Sequence, residues 1–123
     1  MSIASYIDHT ILKPATSTGD IKTICSEAIE YGFAAVCIPP PFVRNAGQLL
    51  KESKIKIATV AGFPLGYSIA RAKLVEVQQA MQDGAFAQNG IIRPIGPAIF
   101  IFAGGTHATM ESFRNRALEL PGA

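Results

Sequence analysis

After Lys73 this 123-residue chain contains no further lysine, and after Asp83 no further aspartate. The loss begins where the preceding pattern calls for another strand. Chemistry that needs a lysine amine or an aspartate must therefore sit in the first two thirds. Other absences exclude whole classes of function. The eleven Lys and Arg against nine Asp and Glu give a net charge of only +2, with no basic run and little aromatic interleaving, which argues against nucleic acid as a partner. Cys25 and Cys37 form no C-x-x-C, and His9 and His107 lack ligand spacing. Neither a disulfide framework nor a metal site is expected. The longest apolar run, "PAIFIFAGG", is far below the roughly 18 residues needed to span a bilayer. The opening "MSIASYIDHT" has no basic segment and no long apolar stretch of the kind a signal peptide carries. The expectation is a cytoplasmic protein with reduced thiols and no membrane contact.

What is present is a folded, apolar chain. Hydrophobic residues make up 49% and the mean hydropathy is +0.28, which predicts a single domain over residues 1–123 with a core of its own. "SYIDHTIL" is a short β-branched segment closed by Pro14. Thr16, Ser17 and Thr18 are candidate N-caps for a helix whose Ile21, Ile24, Cys25, Ala28 and Ile29 share one face, and Gly32 ends it. "FAAVCI" reads as a buried strand broken by "PPP", and "FVRNAGQLLKES" as a helix. "KIKIATVAGF" reads as a second buried strand. A third helix follows, with Ile69, Ala72, Leu74, Val77, Ala80 and Met81 as its apolar positions and Gly84 past its end.

Strand and helix alternate in units of about 25–30 residues, the pattern of a parallel α/β sheet. The tail is less regular. Residues 98–103 are expected as a strand, 90–95 as an irregular strand, and "THATMESFRNRALEL" as a helix, which leaves room for one more βα unit. In parallel α/β proteins the working residues stand at the carboxyl ends of strands. Here those ends are Asp8-His9-Thr10, Cys37-Ile38-Pro39 and Gly62-Phe63-Pro64-Leu65-Gly66. By composition alone Asp8 reads as a turn or cap residue. Gly104 and Gly105, ahead of the last helix, offer free N–H groups to an anion such as a sugar phosphate, or simply a turn capped by Thr106.

"YIDHTILKPATS", "AIEYGFAAVCIPPPFV", "KIATVAGFPLG" and "K..EVQQAMQDGA" occur in that order over about residues 3–85. Together they resemble the deoxyribose-phosphate aldolases, class I aldolases built on a (βα)8 barrel. The resemblance implies a lysine Schiff-base lyase, with no metal or other cofactor, cleaving 2-deoxyribose 5-phosphate to glyceraldehyde 3-phosphate and acetaldehyde. Asp8 and Thr10 match the family's first-strand motif, where residues line the active site. Cys37 matches the second-strand cysteine near the substrate, and "GFPLG" the loop after the third strand.

Residues 86–123 form a tail that departs from this pattern. The family's proton-relay aspartate falls on Asn89, which cannot exchange a proton near neutral pH. The later strands that carry the family's Schiff-base lysine have no counterpart. Of the six lysines, Lys22, Lys51, Lys54, Lys56 and Lys73 are read on helices or strand starts, away from the catalytic end. Lys13 alone follows a strand end, where it can also be a salt-bridge lysine. The fold expected is a truncated, TIM-barrel-like (βα)4 half-barrel with parallel strands. Its uncovered inner face and edges predict self-association, as a homodimer or higher oligomer. Asp8, Thr10, Cys37 and Asn89 are the candidate catalytic residues, and Gly104 and Gly105 the candidate substrate-binding ones. Efficient catalysis is not expected; a weak aldolase and a small phosphate-binding module are the alternatives.

Overall fold

The computed structural model describes residues 2–85, 90–95 and 98–103. Strands β1 (Asp8–Thr10), β2 (Ala35–Cys37) and β3 (Lys56–Ala61) alternate with helices α1 (Thr18–Tyr31), α2 (Val43–Leu49) and α3 (Ala70–Asp83); β4 (Gly90–Ile95) and β5 (Ala98–Ala103) follow. The sheet order is β1-β2-β3-β5-β4. β1, β2 and β3 run parallel, with Thr10 opposite Cys37 and Cys37 opposite Ala58. The α/β class and the three βα units are as the sequence predicts.

The tail differs from expectation. Residues 90–95 and 98–103 are both strands, but β5 runs antiparallel to β3 and to β4, so no fourth parallel unit forms from them. Only two residues separate β4 from β5, and a parallel connection needs a crossover of about a dozen. The predicted helix beyond residue 104 lies outside the described residues, as do Asn89, Gly104 and Gly105.

Local chemistry explains the helix ends. The Ser17 hydroxyl accepts from the Asp20 N–H (3.2 Å) while the Asp20 carboxylate accepts from the Ser17 N–H (2.9 Å), so two otherwise orphaned donors at the start of α1 are satisfied reciprocally. Gly32 at φ 71° and Gly84 at φ 112° end α1 and α3 in the left-handed region. Strand alternation then sorts side chains onto two faces. Val36, Ile57 and Ala61 join Ile21, Ile24, Ala28, Val43, Ala46 and Val77 in the core between sheet and helices. Cys37, Ala58 and Val60 pack with Leu12 in a second, smaller cluster on the other face. Burying each large aliphatic chain of the main core contributes roughly 1.5–3 kcal/mol. Thr59 is buried yet satisfied, its hydroxyl donating to the Ile38 carbonyl at 2.7 Å. Ile29, expected on the apolar face of α1, is instead 51% exposed.

Candidate functional site

Asp8 and Thr10, the first and last residues of β1, come together with Cys37 at the carboxyl end of β2. Period-two alternation puts Asp8 and Thr10 on the same side of β1, and the parallel register sets Thr10 beside Cys37. The Thr10 hydroxyl donates to the Asp8 carbonyl at 2.8 Å. Cys37 is buried and free. Its thiol is pushed up to about 11, chiefly by burial and then by the Asp8 charge, while a hydrogen bond with the Thr10 side chain acts in the opposite direction. Partial burial likewise raises the Asp8 carboxyl above its ordinary value. The group is therefore electrostatically coupled, and its sulfur is a protonated, core-like thiol at neutral pH rather than a nucleophile.

His9 points the other way. Its ring packs against Phe33 with centroids 4.8 Å apart, and its Nε2 lies 3.6 Å from the Glu27 carboxylate on α1. That nitrogen is buried without a hydrogen-bond partner, so His9 joins β1 to α1 and does not face Cys37.

The loop after β3 is tied down from α3. The Gly66 N–H donates to the Gly62 carbonyl; the Gly62 N–H donates to Glu76 Oε1 at 3.1 Å, and Lys73 Nζ donates to the Gly66 carbonyl at 3.0 Å. Gly62 sits at φ 66° and Gly66 at φ 74°, and the Phe63–Pro64 peptide is cis. A Cβ on Gly62 would stand 2.8–2.9 Å from the Lys73 methylenes. Two expectations about lysine change here. Lys73, read from sequence as remote from the strand ends, brings its ammonium to the loop that follows β3. Lys13, the candidate at the first strand end, pairs with Asp20 at 3.6 Å and its side chain is 57% exposed. The sequence signal for the loop clamp is the three-residue spacing of Lys73 and Glu76 on the first turns of the helix after "GFPLG".

A cavity of about 350 Å³ lies at the opposite end of β3, lined by Gly47, Leu50, Lys54, Lys56 and Gly84 among others. None of the candidate residues lines it, and α2 and α3 both turn their carboxyl ends toward it. Among the described residues no group of three or more His, Cys, Asp or Glu is placed to hold a metal ion, and no helix is long and apolar enough to cross a membrane.

Comparison with known proteins bears on the same residues. Residues 2–93 match the model of a family described as DeoC/LacD family aldolase. The chain is 51% identical over 85 residues to a deoxyribose-phosphate aldolase of Caldanaerobacter subterraneus subsp. tengcongensis, a match covering 69% of this chain and 37% of that protein. It is 46% identical over 99 residues to the deoxyribose-phosphate aldolase of Deinococcus radiodurans, covering 80% and 44% respectively. Its backbone superimposes on a deoxyribose phosphate aldolase from Aeropyrum pernix, described as a unique tetrameric structure, with a TM-score of 0.63 at 35% identity, over 67% of this chain and 35% of that one. The chain thus spans less than half the length of these relatives, and its fold corresponds to part of their barrel.

Proposed function

We propose a function from one premise, that this chain belongs to the DeoC/LacD aldolase family: it is an aldolase-derived partial barrel that associates with itself in the cytoplasm and does not turn over substrate efficiently. One observation carries the reading. Burial sets the titration of Asp8, and burial followed by the Asp8 charge sets that of Cys37; no lysine is among the causes. A Schiff-base nucleophile must be an amine held unprotonated by desolvation or a neighbouring cation. Lys13 is exposed and pairs with the Asp20 carboxylate, and Lys73 Nζ donates to the Gly66 carbonyl. The register of Asn89 against the family's proton-relay aspartate supports the same conclusion. Self-association is supported by the edge of β1, which among the described residues pairs only with β2, and by the tetrameric Aeropyrum pernix relative.

A second reading, weak cleavage of 2-deoxyribose 5-phosphate, draws on the position of Lys73 beside the loop after β3. One experiment separates the two. The 123-residue protein is incubated with 2-deoxyribose 5-phosphate and borohydride, then analysed by intact mass and peptide mapping. Folded protein without an adduct is the expected result. A stoichiometric reduced adduct on one lysine, Lys13 or Lys73, would overturn the first reading and name the nucleophile.

A further inference from the structure

β1 is hydrogen-bonded to β2 through alternate residues. The Ile7 carbonyl accepts from the Ala34 N–H and the Ile11 N–H donates to the Cys37 carbonyl, both at 3.0 Å. Because hydrogen bonding alternates along a strand, the backbone N–H and C=O of Asp8 and Thr10 face the opposite edge. Among the described residues β2 is the one strand paired with β1. The Asp8 carbonyl carries the Thr10 hydroxyl and keeps a second lone pair. Immediately before this edge stand Ile3, Tyr6 and Ile7, exposed by 79%, 70% and 39%. An open edge beside exposed apolar side chains is a template for strand pairing.

We propose that a second copy of this chain docks here, β1 pairing antiparallel with the partner's β1 about a twofold axis at His9. The inference deepens the self-association proposed above and rests on it. In this register Asp8 exchanges both backbone hydrogen bonds with the partner's Thr10, and Thr10 with the partner's Asp8. Each carboxylate then stands directly opposite a hydroxyl rather than a second carboxylate. In this register Ile7 stands opposite the partner's Ile11, so the apolar segments before β1 flank the pairing at its two ends, symmetrically as an isologous contact requires. The other outer strand, β4, carries Pro94, which has no N–H to give. In the Aeropyrum pernix relative 65% of the chain lies outside the match, the remainder after the 35% that is covered. A second copy gives the edge a strand that residues 2–85 do not contain.

Thr10→Pro tests the edge, because the N–H it removes faces away from β2. Mass by light scattering is followed with dilution for the wild-type chain, for Thr10→Pro and for Thr10→Val, which keeps the N–H. Amide exchange of Asp8 and Thr10 is read in the wild-type protein at high and low concentration. The expectation is a wild-type dimer, a dimer for Thr10→Val, and a dissociation constant raised at least ~tenfold in Thr10→Pro. Exchange at Asp8 and Thr10 should slow as the protein is concentrated. A wild-type monomer at all concentrations would overturn self-association itself. A wild-type dimer whose Asp8 and Thr10 amides exchange freely would overturn only the β1 interface, whether or not Thr10→Pro folds.

Discussion

Cys37 brings burial, a carboxylate and a hydroxyl to bear on one thiol. Its proton is held to about pH 11, as is that of buried Cys25, against about 9 for a thiol in the unfolded chain. Between those values the native state binds more protons than the unfolded state, so stability is full below pH 9 and falls as pH rises toward 11. Denaturant midpoints measured from about pH 8 to 11 should show that fall. Asp8→Asn removes the charge that helps raise Cys37, so its thiol should titrate lower and the alkaline loss should shrink. A loss unchanged in Asp8→Asn would mean that the two side chains do not act on each other. Burial, with the Asp8 charge after it, explains why this cysteine is a poor nucleophile at neutral pH although it stands at a strand end.

At the scale of elements, the loop after β3 shows how a helix fixes a strand's exit. Gly62 is left-handed and packed against the Lys73 methylenes, whereas Gly32 is equally left-handed with nothing within 4 Å of the point where a Cβ would stand. Gly32→Ala should cost about 1–2 kcal/mol, the conformational penalty alone. Gly62→Ala carries that penalty and also displaces Lys73 from Gly66, so it should lower the melting temperature further. Equal losses in thermal melts would show that Lys73 yields without consequence. Helices α1 and α3 are readable from sequence because their caps and stops are local: Ser17, Asp20, Gly32 and Gly84 need no tertiary partner to act. Strands β2 and β3 are readable because both of their faces are apolar. Other features depend on long-range packing and are not legible. Ile3–Tyr6 forms a turn of 3-10 helix ahead of β1, although its β-branched neighbours suggest strand. Gln78 is buried beside Val77: its position falls on the apolar stripe with Leu74, Val77 and Met81, but its side chain reads as polar. The direction of β5 depends on its pairing with β3, since a strand reads alike from sequence whichever way it pairs. The role of Lys73 is hidden for a related reason: its position on a helix is local, but the loop its ammonium meets belongs to the preceding strand.

At the scale of the molecule, among the described residues three parallel strands covered by helices on one face leave the Asp8–Thr10–Cys37 side with a small cluster of its own: Cys37, Ala58 and Val60 with Leu12. The main core of the described residues lies on the helix side. A fold divided this way gains stability from whatever joins its open edge, and if that is a second copy, the gain depends on protein concentration. Melting temperature should therefore rise when the chain is concentrated from ~1 to ~100 μM, by several degrees, as a stability increment of a few kcal/mol gives for a domain of this size. Thr10→Pro should show a smaller rise over that range, because its edge no longer offers the outward N–H and its dimer is weaker. Calorimetry at matched scan rates distinguishes the cases. A concentration-independent melting temperature in the wild-type chain would mean that the small cluster suffices without a partner, and the aldolase-derived sheet would then stand as a monomer whose open edge is stable in water.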